Sequence, residues 1–200
     1  QIIRNGEDSK LKTLKEVAGV LTFSAMQEAG NIGLCCYSDK SEKFIAPGAG
    51  KKHGYQVINE LFKLIPENTG TDLKQALKFT LQVLKRKSLI FVLSDFIDAD
   101  YHDLLRAMSK KHDLVIIQIN SDVELKLPAM GIIPIYDPEK RKTTWVNTST
   151  KSFKSLLAHE IHANAQGLND LCKQWQANYI QIKAGGDFVP SLIKLFRIRK

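Results

Sequence analysis

The chain has 200 residues, 44% apolar and 25% charged, which fits one soluble globular domain (residues 1–200) and excludes a disordered or fibrous chain. No apolar run approaches the roughly 20 residues of a membrane span, and no signal peptide opens the sequence. The net charge of +8 is scattered from Lys10, Lys12 and Lys15 to Arg197, Arg199 and Lys200 without interleaved aromatics, so it reads as solvated surface and not as a nucleic-acid interface.

Residues 1–9 read as a polar loop in which Asp8-Ser9 caps a helix over 10–29. Leu11, Leu14, Ala18, Leu21 and Ala25 give that helix its apolar face, and Gly30 ends it. Residues 32–37 form a short buried strand with a hairpin partner at 43–46, and 47–50 form a loop. A second helix covers 55–65 until Pro66 stops it. Thr69-Gly70-Thr71-Asp72-Leu73 opens a third helix over 73–84, with Thr71 readable as its N-terminal hydroxyl.

Next comes Ser88-Leu89-Ile90-Phe91-Val92-Leu93-Ser94-Asp95, an apolar run that stops on a Ser-Asp pair. Such a run predicts a strand buried on both faces of a parallel sheet. Ligands collect at the carboxyl ends of such strands, which places Asp95 where a site would be, within reach of Thr71. After a loop at 97–100 and a helix over 101–110, residues 114–120 give another buried strand. A hairpin at 132–136 and 143–146 turns around Asp137-Pro138-Glu139-Lys140. A helix over 152–176, a strand over 179–183, the Gly185-Gly186 turn and a helix ending near Phe196 close the chain. Alternating strands and helices predict a layered α/β fold with a mostly parallel sheet. The strands near Ile32, Leu89, Leu114 and Ile180 are expected to share one sheet, helices on both faces, with Thr71 and Asp95 on the same edge.

The three cysteines, Cys35, Cys36 and Cys172, lack zinc-ligand spacing and read as buried apolar residues in a reducing, cytoplasmic setting. His159 and His162 are three apart, not the four a zinc-protease helix requires. Ser94 has no nucleophile elbow around it and reads as a structural hydroxyl. Asp98 and Asp100 read as loop and capping residues, and Gly185-Gly186 as a turn, not a phosphate loop.

In this order the motifs Ile32-Gly33-Leu34-Cys35-Cys36-Tyr37-Ser38-Asp39, Thr69-Gly70-Thr71-Asp72-Leu73 with Ala76-Leu77, Phe91-Val92-Leu93-Ser94-Asp95-Phe96, His112-Asp113-Leu114-Val115 and Asp122-Val123-Glu124 with Leu127-Pro128 resemble the bacterial domain of unknown function 58 family, a branch of the von Willebrand factor A superfamily. The resemblance implies a Rossmann-like sheet carrying a metal-ion-dependent adhesion site. Such a site takes a DxSxS loop, a threonine matched by Thr71 and an aspartate matched by Asp95. It also implies magnesium or manganese in the intact protein, and a non-catalytic role in binding protein partners, among them MoxR-type AAA+ ATPases.

The chain departs from that pattern because it contains no Asp-x-Ser-x-Ser. Either the first strand lies upstream of Gln1 or this member lacks the site; the need for a central strand favours the former. The chain by itself is then expected to hold no metal tightly. Its sheet should keep an open slot, leaving the domain marginal or self-associating. Two other readings stand beside this one: a metal-free interaction scaffold, and a phosphoester hydrolase using Asp95 and Asp98 as metal ligands.

Overall fold

The computed structural model describes residues 2–66, 70–98, 100–121, 131–137 and 142–198. The expected turn residues Asp122-Val123-Glu124, Leu127-Pro128, Thr69 and 138–141 lie outside them. In chain order the elements are α1 (Ile2–Gln27), β1 (Ile32–Tyr37), β2 (Ser41–Gly48), α2 (Lys51–Lys63), α3 (Leu73–Val83), β3 (Leu89–Ser94), α4 (His102–Lys111), β4 (Asp113–Asn120), β5 (Ile132–Asp137), β6 (Lys142–Asn147), α5 (Lys151–Gln174), β7 (Asn178–Lys183) and α6 (Val189–Ile198).

The central unit is a three-stranded parallel sheet in the order β3-β4-β7. β4 lies between the other two, and its side chains alternate between faces. Leu114 and Ile116 pack into one core with Leu77, Leu105, Met108, Leu168 and Cys172, drawn from α3, α4 and α5. Val115 and Ile117 pack into a second core with Val17 and Leu21 of α1, Ile182 of β7, and Leu192 and Leu195 of α6. An unbroken apolar strand is what this sandwich demands, because both faces are covered.

Two expectations need correction here. The strand at 32–37 is not part of the parallel sheet: β1 pairs antiparallel with β2, and among the described residues no ladder joins β1 to β3. The two blocks are bridged by helices instead, since α1 packs on β1, β3 and β4, and α3 packs on β1. Apolar content reports how covered a strand's faces are, but not which backbone fills its hydrogen bonds. β3 departs from expectation too: the run reads as a strand buried on both faces, but at the edge of this sheet Phe91 to Ser94 are only half-buried.

The second correction is at the first helix. It begins at Ile2, so Asp8 and Ser9 lie inside it and not at its start. Its other end closes with Ala29 N–H donating to Met26 O (3.3 Å) and Gly30 N–H to Ala25 O (3.1 Å). The left-handed residue of this closing turn is Ala29, at φ 54°, not Gly30.

α2 lies close against α1. A Cβ at Gly54 would come within 2.3 Å of Met26, so the close approach of the two helices depends on that glycine. Lys15 of α1 donates to Phe62 O (3.2 Å) and Leu64 O (2.5 Å), capping carbonyls at the end of α2. The β5–β6 hairpin expected from its turn residues forms a two-stranded antiparallel sheet.

Candidate functional site

At the carboxyl edge of the parallel sheet, three segments are stitched together by hydrogen bonds from backbone N–H groups. Ser38 O, just after β1, accepts the Asp72 N–H at 2.9 Å. A Cβ on Gly70 would lie 3.2 Å from Asp39 Cβ, so a glycine lets this turn press against the end of β1. Asp98, in the loop after β3, accepts the Leu73 N–H at 2.7 Å, at the first turn of α3. The loops holding Thr71 and Asp95 therefore share one edge.

Asp72, not Thr71, caps α3: its carboxylate accepts Gln75 N–H at 2.8 Å and the Gln75 side-chain amide at 2.8 Å. Those bonds hold the Asp72 carboxyl below its ordinary range. Thr71 is exposed beside it.

The Ser94-Asp95-Phe96 turn is pinned from several directions. Ser94 Oγ accepts the Phe96 N–H at 3.1 Å, the structural role its sequence context suggests. Phe96 is buried with φ 56°, a left-handed conformation that a bulky residue adopts only when its surroundings enforce it. Enforcement comes from Tyr101, whose hydroxyl donates to Phe96 O at 3.3 Å and whose ring lies 5.7 Å from that of Phe96. Burial pushes the Tyr101 hydroxyl up to about 12, so it is a donor at any physiological pH.

Behind the turn, Gln118 of β4 is a buried amide in an apolar strand. It donates to Asp95 O at 3.0 Å and accepts from the Tyr179 hydroxyl at 2.5 Å and the Gln181 amide at 3.3 Å. Burial pushes the Tyr179 hydroxyl up to about 12 as well.

The Asp95 carboxylate itself receives the Lys10 ammonium at 3.0 Å, with side-chain exposures of 17% for Lys10 and 33% for Asp95. One turn further along α1, buried Thr13 accepts the Gly185 N–H at 2.9 Å, tying the turn after β7 to the same edge. Gly185, at φ 73°, is a turn glycine as read from sequence. Asp100, at the rim, lies 3.8 Å from Lys74. His159 and His162 lie exposed on α5.

Among the described residues, no group of three or more His, Cys, Asp and Glu side chains is arranged to hold a metal ion. By themselves Thr71 and Asp95 offer magnesium one carboxylate, already facing an ammonium, and one hydroxyl, fewer oxygens than its shell takes. Magnesium needs near-octahedral oxygens and sheds water reluctantly. The cysteines offer no nucleophile either: burial raises Cys35, and carries Cys36 to about 11 and Cys172 to about 12, leaving thiols at neutral pH.

Lys10, Gln118 and Tyr179 carry much of this geometry and were not singled out by motif reading. Gln118 leaves a trace, as the one amide inside Leu114-Val115-Ile116-Ile117-Gln118-Ile119; Lys10 leaves none among its neighbouring lysines.

Fold and edge together define an α/β domain with a parallel sheet, helices on both faces and a polar rim at the strand ends. Residues 2–166 match a family described as a protein of unknown function, DUF58, and the chain belongs to that family. Neither the curated proteins nor the solved structures contain a match to the chain. No helix of the described residues is long and apolar enough to cross a membrane.

Proposed function

We propose that this domain is a protein-interaction module of the von Willebrand A type, not an enzyme, whose binding face is the carboxyl edge holding Thr71 and the Ser94–Asp98 loop. The observation that carries the reading is the 2.7 Å bond from Leu73 N–H to Asp98, which locks the two loops into one surface. A pre-ordered rim costs a partner little ordering entropy, which favours recognition. The partner class proposed is a MoxR-type AAA+ ATPase, as the family resemblance implies.

Of the metal-dependent and metal-free forms of this reading, the donor set favours the metal-free form in this chain, since Asp95 is already neutralised. A hydrolase using Asp95 and Asp98 is weaker, because both carboxylates are committed, one to Lys10 and one to the α3 backbone.

The test mixes the purified chain with a purified MoxR-type ATPase and follows complex formation by calorimetry. Thr71→Arg, at the exposed rim, is expected to weaken binding at least about tenfold. Lys85→Glu, at the opposite end of the sheet, should leave it unchanged. Equal binding by both variants, or none by the wild type, would refute the assignment of this face.

A further inference from the structure

We infer that the Lys10 ammonium is the resident cation of the Asp95 edge, and that a divalent metal ion can neutralise Asp95 only by displacing it. This rests on the same ion pair as the metal-free reading above, but Mn2+ uptake is read without any partner present. Lys10 reaches Asp95 across 85 residues of sequence at 3.0 Å, and its side chain is only 17% exposed.

Its position is held from behind. Thr13, one turn along α1, accepts Gly185 N–H at 2.9 Å, and Val17, two turns along, is fully buried against β4 and β7. The ammonium is therefore presented by an anchored helix, unlike a surface lysine that samples many rotamers. An ammonium in contact with Asp95 neutralises the carboxylate and repels a dication approaching the same oxygens. It also occupies space that a water or side-chain ligand of the ion would need. Within a few ångströms that repulsion is worth about a factor of ten or more in affinity, even where water screens it.

Residues 1–200 supply the test, with Mn2+ alone as the probe and the free-ion paramagnetic resonance signal as the readout. The wild-type chain should take up little Mn2+ at millimolar concentration. Lys10→Met, which keeps the apolar stem and removes the charge, should bind Mn2+ about tenfold more tightly or better. That gain should vanish in Lys10→Met with Asp95→Asn, and Lys10→Arg should behave as the wild type.

Should Lys10→Met fail to fold, the wild-type chain still decides the matter through the nitrogen resonance of the Lys10 ammonium. Asp95→Asn should shift it, and millimolar Mn2+ should leave it in place. A Lys10→Met variant no better than wild type, Mn2+ binding that tolerates Lys10, or an ammonium resonance indifferent to Asp95→Asn would each overturn the inference.

Discussion

Replacing Gln118 by leucine tests whether the buried amide network holds the Asp95 turn. The wild-type side chain makes three bonds, one donated to Asp95 O and two accepted, from Tyr179 and Gln181. Gln181 is exposed and can turn to water, but Asp95 O and the Tyr179 hydroxyl lose a partner in a partly desolvated place. Each such loss costs about 1–3 kcal/mol. Burying leucine in place of glutamine returns about 1–2 kcal/mol of transfer free energy. At the middle of these ranges the net expectation is a destabilisation of about 2–3 kcal/mol by urea unfolding, with an unchanged slope.

Tyr179→Phe supplies the sharper half of the test. In the wild type it removes one bond and should cost about 0.5–1.5 kcal/mol. In the Gln118→Leu background the same change removes a hydroxyl left with Gln181 alone and should cost less than in the wild type. A double-mutant cycle in which the two substitutions simply add, or a Gln118→Leu variant as stable as the wild type, would refute the network.

Two further outcomes follow from the backbone and the core. Ala29→Gly should raise stability by about 0.5–1 kcal/mol, because it relieves a left-handed residue at the end of α1; a lowered melting temperature would show that the closing turn is not strained. His112 is buried, neither ring nitrogen finds a hydrogen-bond partner among the described residues, and burial, with Lys111 adding to it, lowers its pKa from the ordinary 6.5. The folded state thus resists a proton that the unfolded chain accepts, so stability should fall as pH drops through 6.5 and below, and His112→Leu should flatten that slope. Equal slopes for the two proteins between neutral and mildly acidic pH would remove His112 from the account.

Much of the fold is written in local patterns. The apolar runs of β3 and β4, the alternation of strand and helix, and the β5–β6 hairpin follow from side-chain period and turn chemistry, which are short-range properties. The edge location of Asp95 also follows, because an unbroken apolar run must end where the sheet ends. Thr71 joins it through a turn whose glycine and aspartate are visible in sequence.

What the tertiary structure alone decided is of longer range. Pattern could not tell that, among the described residues, β1 and β3 have no common ladder, since burial of a strand's faces says nothing about its hydrogen-bond partner. It could not place the α3 cap on Asp72 in preference to Thr71, because either side chain can serve and the choice depends on the turn's dihedrals. Nor could it select Lys10 from the lysines of α1. An ion pair between residues 10 and 95 exists only once Thr13 and Val17 have fixed the helix against the sheet, and no local rule carries that information.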